Sequence, residues 1–257
     1  MKEAIFLGTG SSTGVPLLTC QCKVCTSTDP RDNRTRPSLL LRSNEETIII
    51  DTSIDFRQHM LREKNQQLHA VLLTHAHTDH IGGLDDIRMY NYKQSMVMPV
   101  YGNAPTLEEL QERFSYIFKK TQEGGGKPKL QLHTIQHGDE IHFKNFHFTA
   151  VELYHGNVLV YGYIINQKLA YLTDCNFIPE KTHEKLKGVE QVVIGAIRGF
   201  KHSTHFTFSE AIEEIRKIKP QKAYFTHITH EFSHSELEQQ FSPEITIPYD
   251  GYRIALD

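Results

Sequence analysis

The sequence predicts an α/β fold in four layers (αββα), with two mixed sheets packed face to face and helices outside. Three observations lead there. Short apolar runs alternate with helix-like segments along the whole chain, the grammar of layered α/β structures. The chain also echoes itself: "VLLTHAHTDH" (71–80) resembles "YFTHITHEF" (224–232), and "TIIIDTSID" (47–55) resembles "LAYLTDCNF" (169–177). Finally, no shift in composition divides the 257 residues. They read as one domain over 1–257, enough chain for a substantial core.

In order, "AIFLG" (4–8), "SLLLR" (38–42) and "TIIID" (47–51) read as strands, with "SNEE" as a hairpin between the last two. "IDFRQHMLREKN" (54–65) has helical spacing at Ile54, Phe56, Met60 and Leu61. A strand over 70–74 follows, and after Thr78 a helix begins. "TLEELQERFSYIFKK" (106–120) predicts one helix, capped by Thr106 with Glu109 and broken by "EGGGKP" (123–128). Strands follow at 146–154, 161–165, 169–174 and 191–197, then a helix over 207–218 capped by Ser209. A strand at 222–227 and "RIAL" (253–256) close the chain. The least regular stretch, about Arg88 to Leu130, is expected to be an insertion or lid over the site.

The formal net charge is −3, so no global basic field exists to hold long nucleic acid. No apolar run approaches the length of a membrane span, and the opening "MKEAIFLGTG" is too short for a signal-peptide core. The expectation is a cytoplasmic protein acting on a small molecule, with no membrane partner.

The chemistry concentrates in "THAHTDH" (74–80). In extended chain alternate side chains share a face, so His75 and His77 can grip one metal ion. Asp79 and His80, at the start of the helix, point elsewhere and suit a second. Mixed imidazole and carboxylate ligands fit zinc, manganese or iron. Gly82 and Gly83 let backbone pack closely behind. Candidates to complete the two sites stand where apolar runs end: His155, Asp174 and His227. Asp51, which ends another run, orients a ligand histidine or simply caps a helix. Cys20, Cys22 and Cys25 in "CQCKVC" are clustered, unlike a disulfide framework, and supply three thiolates for a structural zinc. Cys175 reads as core. "GTGSSTG" (8–14) lacks the following helix that a dinucleotide loop needs, and is expected to let backbone approach the site.

"THAHTDH" resembles the H-x-H-x-D-H signature of the metallo-β-lactamase superfamily, whose fold is the αββα sandwich. The resemblance implies one metal held by His75, His77 and His155, a second held by Asp79, His80 and His227, and Asp174 bridging. Within that superfamily, "GTGSSTGVPLLTCQCKVC" and "THITHEF" look like the phosphoribosyl cyclic phosphodiesterases of the carbon–phosphorus lyase pathway and their relatives. Those carry a zinc away from the active site on three cysteines and a histidine, which here matches His230. Their extra histidine matches His205, assigned to leaving-group protonation or phosphate binding, with His202 as the alternative. Their dimers leave a homodimer open.

The expected activity is hydrolysis of a small phosphodiester, cyclic ones included, by a hydroxide generated between two divalent metals. Asp79 and His205 are assigned to catalysis, and Arg198 and Lys201 are offered as phosphate contacts. The competing readings are a tRNA-processing nuclease, a lactone or thioester hydrolase, and a non-catalytic metal-dependent carrier. The nuclease ranks lower because 88–130 offers scattered lysines but no arginine-rich patch. His59, His69, His133, His137, His142, His147, His183 and His234 read as ordinary surface or strand histidines.

Overall fold

Every strand expected from an apolar run is present in the computed structural model, which describes residues 2–120 and 126–256. The first six strands are β1 (Glu3–Gly8), β2 (Ser38–Arg42), β3 (Thr47–Ile50), β4 (Ala70–Leu72), β5 (Met98–Gly102) and β6 (Leu130–Thr134). The next seven are β7 (Glu140–His142), β8 (His147–His155), β9 (Val158–Ile165), β10 (Leu169–Leu172), β11 (Gln191–Gly195), β12 (Lys222–Thr226) and β13 (Ile245–Thr246). The last, β14 (Arg253–Ala255), returns to pair antiparallel with β1. Two seven-stranded sheets result, β14-β1-β2-β3-β4-β5-β6 and β13-β12-β11-β10-β9-β8-β7. Both mix parallel and antiparallel pairs.

Side-chain alternation along each strand assigns the layers. Ile48 and Ile50 face inward with Phe6, Leu39, Phe148, Tyr163, Tyr171 and Tyr224, filling the space between the sheets. Ile49, Ile5, Leu7 and Leu40 face outward and are covered by Phe56, Met60, Leu84 and Leu107. The second sheet likewise packs Leu172, Val192 and Ile194 against Phe208, Leu237 and Phe241. Strands buried on both faces must be apolar at every position, which is why "TIII" and "LAYL" show no alternation in sequence.

The helices are α1 (Phe56–Arg62), α2 (Thr78–Ile81), α3 (Arg88–Gln94), α4 (Ala104–Arg113), α5 (Ser115–Phe118), α6 (Glu180–Leu186), α7 (Phe208–Ile218) and α8 (His234–Phe241). Two expectations need correction. The helix placed at 106–120 starts earlier and is interrupted: Asn103 is the cap, accepting from Thr106 N–H, and Phe114 at φ −107°, ψ 37° separates α4 from α5. Part of the 123–128 breaker lies outside the described residues. At α7 the cap is Thr207, not Ser209, in a reciprocal capping box with Glu210. Among the described residues no helix is long and apolar enough to cross a membrane.

Parallel register brings strand ends to one level. Ile50 pairs with Leu72 in the first sheet, and Leu172 with Ile194 in the second. The chain then turns sharply. Asp51, Asp174 and His227 adopt left-handed backbone, at φ 65°, 52° and 62°. The long β1–β2 loop is pinned beside this edge. Gly10 bridges Ile228, next to His227, and buried Arg34 donates to Thr9 Oγ1 (2.8 Å) and the Pro248 carbonyl (2.7 Å).

Candidate metal centre

β4 delivers Thr74 and His75 to the strand-end level, and His77 then stands, in extended backbone, at the position preceding α2, which carries Asp79 and His80. His75 Nε2 lies 2.9 Å from His77 Nδ1. His155, the last residue of β8, places its ring centroid 5.6 Å from that of His75 and 5.2 Å from that of His77. Its Nδ1–H donates to the Thr204 carbonyl at 2.8 Å, which leaves Nε2 for the cluster. These three form one donor set, and Asp79, His80, Asp174 and His227 form a second that is buried throughout.

The sets meet at one atom. Asp174 Oδ2 is 4.0 Å from His75 Nε2, 3.3 Å from His80 Nε2 and 3.1 Å from His227 Nε2. Asp79 Oδ2 approaches His80 Nε2 at 3.3 Å and His227 Nε2 at 3.8 Å. Yet His80 Nε2 and both ring nitrogens of His227 are buried without an aligned hydrogen bond. Burial opposes charge on His80, but the carboxylates of Asp174, Asp79 and Asp51 overrule it and hold its imidazolium well above the usual histidine value. Burial likewise opposes charge on Asp174, and His227 and His80 drive its carboxyl well below the usual range. The second set stabilises positive charge and is lined by orphaned imidazole nitrogens and carboxylate oxygens, which fits a divalent metal. In the first set burial, joined at His75 by the charge of His80, lowers the pKa of His75 and His155, and so favours the neutral imidazole that ligates metal.

Asp51 answers the choice left open by the sequence: it orients His80 and makes no side-chain cap to α1. Its Oδ2 accepts from His80 Nδ1 at 2.7 Å and from Thr74 Oγ1 at 2.8 Å, and its Oδ1 from Thr74 N–H at 2.9 Å. Asp51 thus keeps a proton on Nδ1, and a metal taking the place of the second proton would meet the Nε2 lone pair on the side of Asp79 and Asp174. Behind α2, a Cβ on Gly83 would stand 2.2 Å from the Ser53 carbonyl oxygen, so only glycine lets the motif lie this close to the 51–55 turn.

His205 is buried against the same cluster, 4.4 Å from His155 and stacked 4.7 Å from His227, ring to ring. It also joins His155 and Asp174 as a third overlapping donor set. Burial and the neighbouring His227 push its ring down to about 2. His202 lies one ring further out, 5.0 Å from His205. Arg198 is engaged within its own loop, donating to the carbonyls of Phe200 and Lys201 and resting 4.0 Å over the Phe200 ring; Lys201 is exposed. Arg113, which carried no sequence signal, donates to Thr78 Oγ1 at 3.1 Å from the far end of α4.

The cysteines form a separate centre. Cys20, Cys22 and Cys25 each hold Sγ 3.4 Å from His230 Nδ1. That is near the ~3.5 Å edge of a tetrahedron with Zn–S of about 2.3 Å and Zn–N of about 2.0–2.1 Å. The backbone N–H of Cys25, with His230, brings the Cys22 thiol down to about 6. Cys175 is core, as expected. Two of the histidines read as ordinary surface or strand residues are instead buried inside helices. His59 meets Thr35 Oγ1 at 2.7 Å, and His234 meets Arg34 at 3.0 Å.

Residues 46–228 match the family described as the beta-lactamase superfamily domain. The octanoyltransferase of Porphyromonas gingivalis is 36% identical over 99% of this chain, but the chain spans only 52% of it. Coenzyme PQQ synthesis protein B of Methylorubrum extorquens is 31% identical over 34% of this chain and 33% of its own length. Among solved structures, a new diphosphatase from the PhnP family superposes with a TM-score of 0.92 at 34% identity, over 100% of this chain and 98% of that one. The Zn(2+)-bound PqqB of Methylobacterium extorquens gives 0.79 at 18% identity over 99% and 100%, a likeness of fold.

Proposed function

Since the chain belongs to the beta-lactamase superfamily, whose fold and metal-ligand chemistry mark it as a metal-dependent hydrolase, we propose that it cleaves a small phosphodiester or diphosphate at a binuclear centre. The observation that carries the reading is Asp174 Oδ2, within 4.0 Å of His75, His80 and His227, joining two donor sets. His75, His77 and His155 would hold one ion and Asp79, His80 and His227 the other, with Asp174 shared. Zinc, manganese and iron all suit these ligands. The PhnP-family diphosphatase at 34% identity supports phosphoryl chemistry.

Bound there, divalent metals supply Lewis-acid activation of water and neutralise phosphoryl charge. The chain's own groups do the rest. Asp51 holds the proton of His80 on Nδ1, and the Thr204 carbonyl does the same for His155. His205, between His155 and His227, is neutral and would bind the phosphoryl group through its ring N–H; it would hand a proton to the departing oxygen as the P–O bond breaks only once the bound phosphoryl charge restores its imidazolium. Arg113 extends the wall at Thr78, which makes α4, inside the 88–130 segment, a flank of the site. We read the whole chain as one catalytic domain. The Cys20, Cys22, Cys25 and His230 cluster would hold a structural zinc tying the β1–β2 loop to the turn after β12.

A second reading rests on the octanoyltransferase relative: the centre would hydrolyse an acyl ester or thioester. Both are tested together. Metal-loaded protein is given bis(p-nitrophenyl) phosphate and, separately, p-nitrophenyl octanoate. Metal-dependent release from the diester, lost in His77→Ala and Asp174→Ala with the fold retained, supports the phosphodiesterase. Release from the octanoate alone favours the acyl reading, and release from neither, with tight binding of phosphate, favours a carrier.

A further inference from the structure

Far along the second sheet from the metal centre, the β7–β8 hairpin gathers Glu140, His142 and His147, with ligand-type atoms all within 4.8 Å of one another. We propose that this hairpin is a further binding site for a divalent transition-metal ion of the zinc class.

The pleat and the register build it. Glu140 and His142 are two residues apart on β7 and so share a face, and His142 pairs directly opposite His147 on β8. Ile141 and Phe148 turn the other way, into the core between the sheets, which fixes the three polar side chains on the outer face. The turn is clamped at several points. Phe143 N–H donates to the Phe146 carbonyl at 2.8 Å, and Glu46 accepts from Lys144 N–H at 2.7 Å and Asn145 N–H at 2.6 Å. Asn166 Oδ1 accepts from His147 N–H at 2.8 Å. The ligands therefore stand on a fixed backbone, and metal binding orders little new chain.

The side chains already converge. The two imidazoles stack 4.1 Å apart at 19°, and their Nε2 atoms lie 3.4 Å (His142) and 3.5 Å (His147) from the same oxygen, Glu140 Oε2. His147 Nε2 is buried and makes no hydrogen bond. Lys144, the nearby cation, is held by Glu45 at 2.6 Å and does not compete for Glu140. Two imidazole nitrogens and one carboxylate oxygen match zinc, nickel or copper, while calcium and magnesium prefer all-oxygen shells. Three protein ligands leave a coordination position open to solvent. Occupancy would cross-link β7, the edge strand of its sheet, to β8.

The test uses full-length protein with its other centres loaded. Wild type, His142→Ala and Glu140→Gln are dialysed against micromolar Zn²⁺ and the zinc per chain is counted. Wild type should take up one equivalent more than His142→Ala, and Glu140→Gln should need roughly tenfold more zinc to reach it. A tenfold excess of Mg²⁺ should displace none of it. His142 is exposed, so without the added zinc its variant should melt with wild type, and it should keep the wild-type hydrolysis rate. Equal zinc uptake by wild type and His142→Ala, or displacement of the extra zinc by Mg²⁺, overturns the proposal.

Discussion

Replacing Asp51 with asparagine should uncouple His80 from its metal while leaving the shape of the site intact. Asp51 spends one oxygen on Thr74 N–H and the other on Thr74 Oγ1 and His80 Nδ1. Asparagine has the same outline but a single acceptor. With its oxygen kept on Thr74 N–H, its NH₂ faces His80 Nδ1 and drives the imidazole proton to Nε2, the nitrogen turned toward Asp79 and Asp174. Turned over, the amide sets NH₂ against Thr74 N–H, a buried bond left unmade at about 1–3 kcal/mol. Neither conformer restores the native tautomer without cost. Losing the partner of a ligand histidine typically lowers metal affinity or activity 10–100-fold, or about 1.4–2.7 kcal/mol. The assay is metal per chain by mass spectrometry together with kcat/KM on bis(p-nitrophenyl) phosphate at saturating metal. An Asp51→Asn protein with full metal content and kcat/KM within twofold of wild type would refute the tautomer argument.

Other outcomes follow from the same geometry. Cys22→Ser should lower zinc by about one equivalent and depress the melting temperature, while the metal-saturated turnover rate changes far less. Gly83→Ala places a Cβ 2.2 Å from the Ser53 carbonyl oxygen. The overpacking should cost about 1–3 kcal/mol or more in denaturant unfolding. His59 is held neutral, its pKa lowered from 6.5 to about 3 by burial and then by Arg62. Its folded value lies below its unfolded one, so its contribution is full above pH 6.5 and fades as pH falls toward 3. By pH 5 the loss is about 2 kcal/mol, and His59→Gln should show a correspondingly flatter acid limb in unfolding titrations.

The architecture was readable because buried strands are locally unmistakable. "TIII", "LAYL" and "QVVIG" are apolar at each position that must face a layer, and the turn residues after them are polar. The convergent donor cluster was readable because four of its members are neighbours in sequence, and His155, Asp174 and His227 because each stands where an apolar run stops. What escaped depends on contacts between distant segments. Arg113 reaches Thr78 across 35 residues, and His59 and His234 are buried only because Thr35 and Arg34 come to meet them. Weakly patterned edges also escaped: β6, "LQLHT", is an edge strand with no fully buried residue, and its sequence resembles loop. The helix caps failed at Thr106 and Ser209 because several hydroxyl and amide side chains compete within one turn, and only the folded backbone chooses among them.

Asp51, Asp174 and His227 share left-handed backbone, a conformation that L-residues with a Cβ adopt at a cost. For His227, which lacks the local hydrogen-bonding habit of aspartate, that cost is greatest. Glycine at these corners would relax the turns and toughen the scaffold, at the expense of two donors and of the carboxylate that orients His80. Durability and chemistry thus pull against each other at the same three codons, so thermal selection applied without a screen for turnover should silence this protein there first.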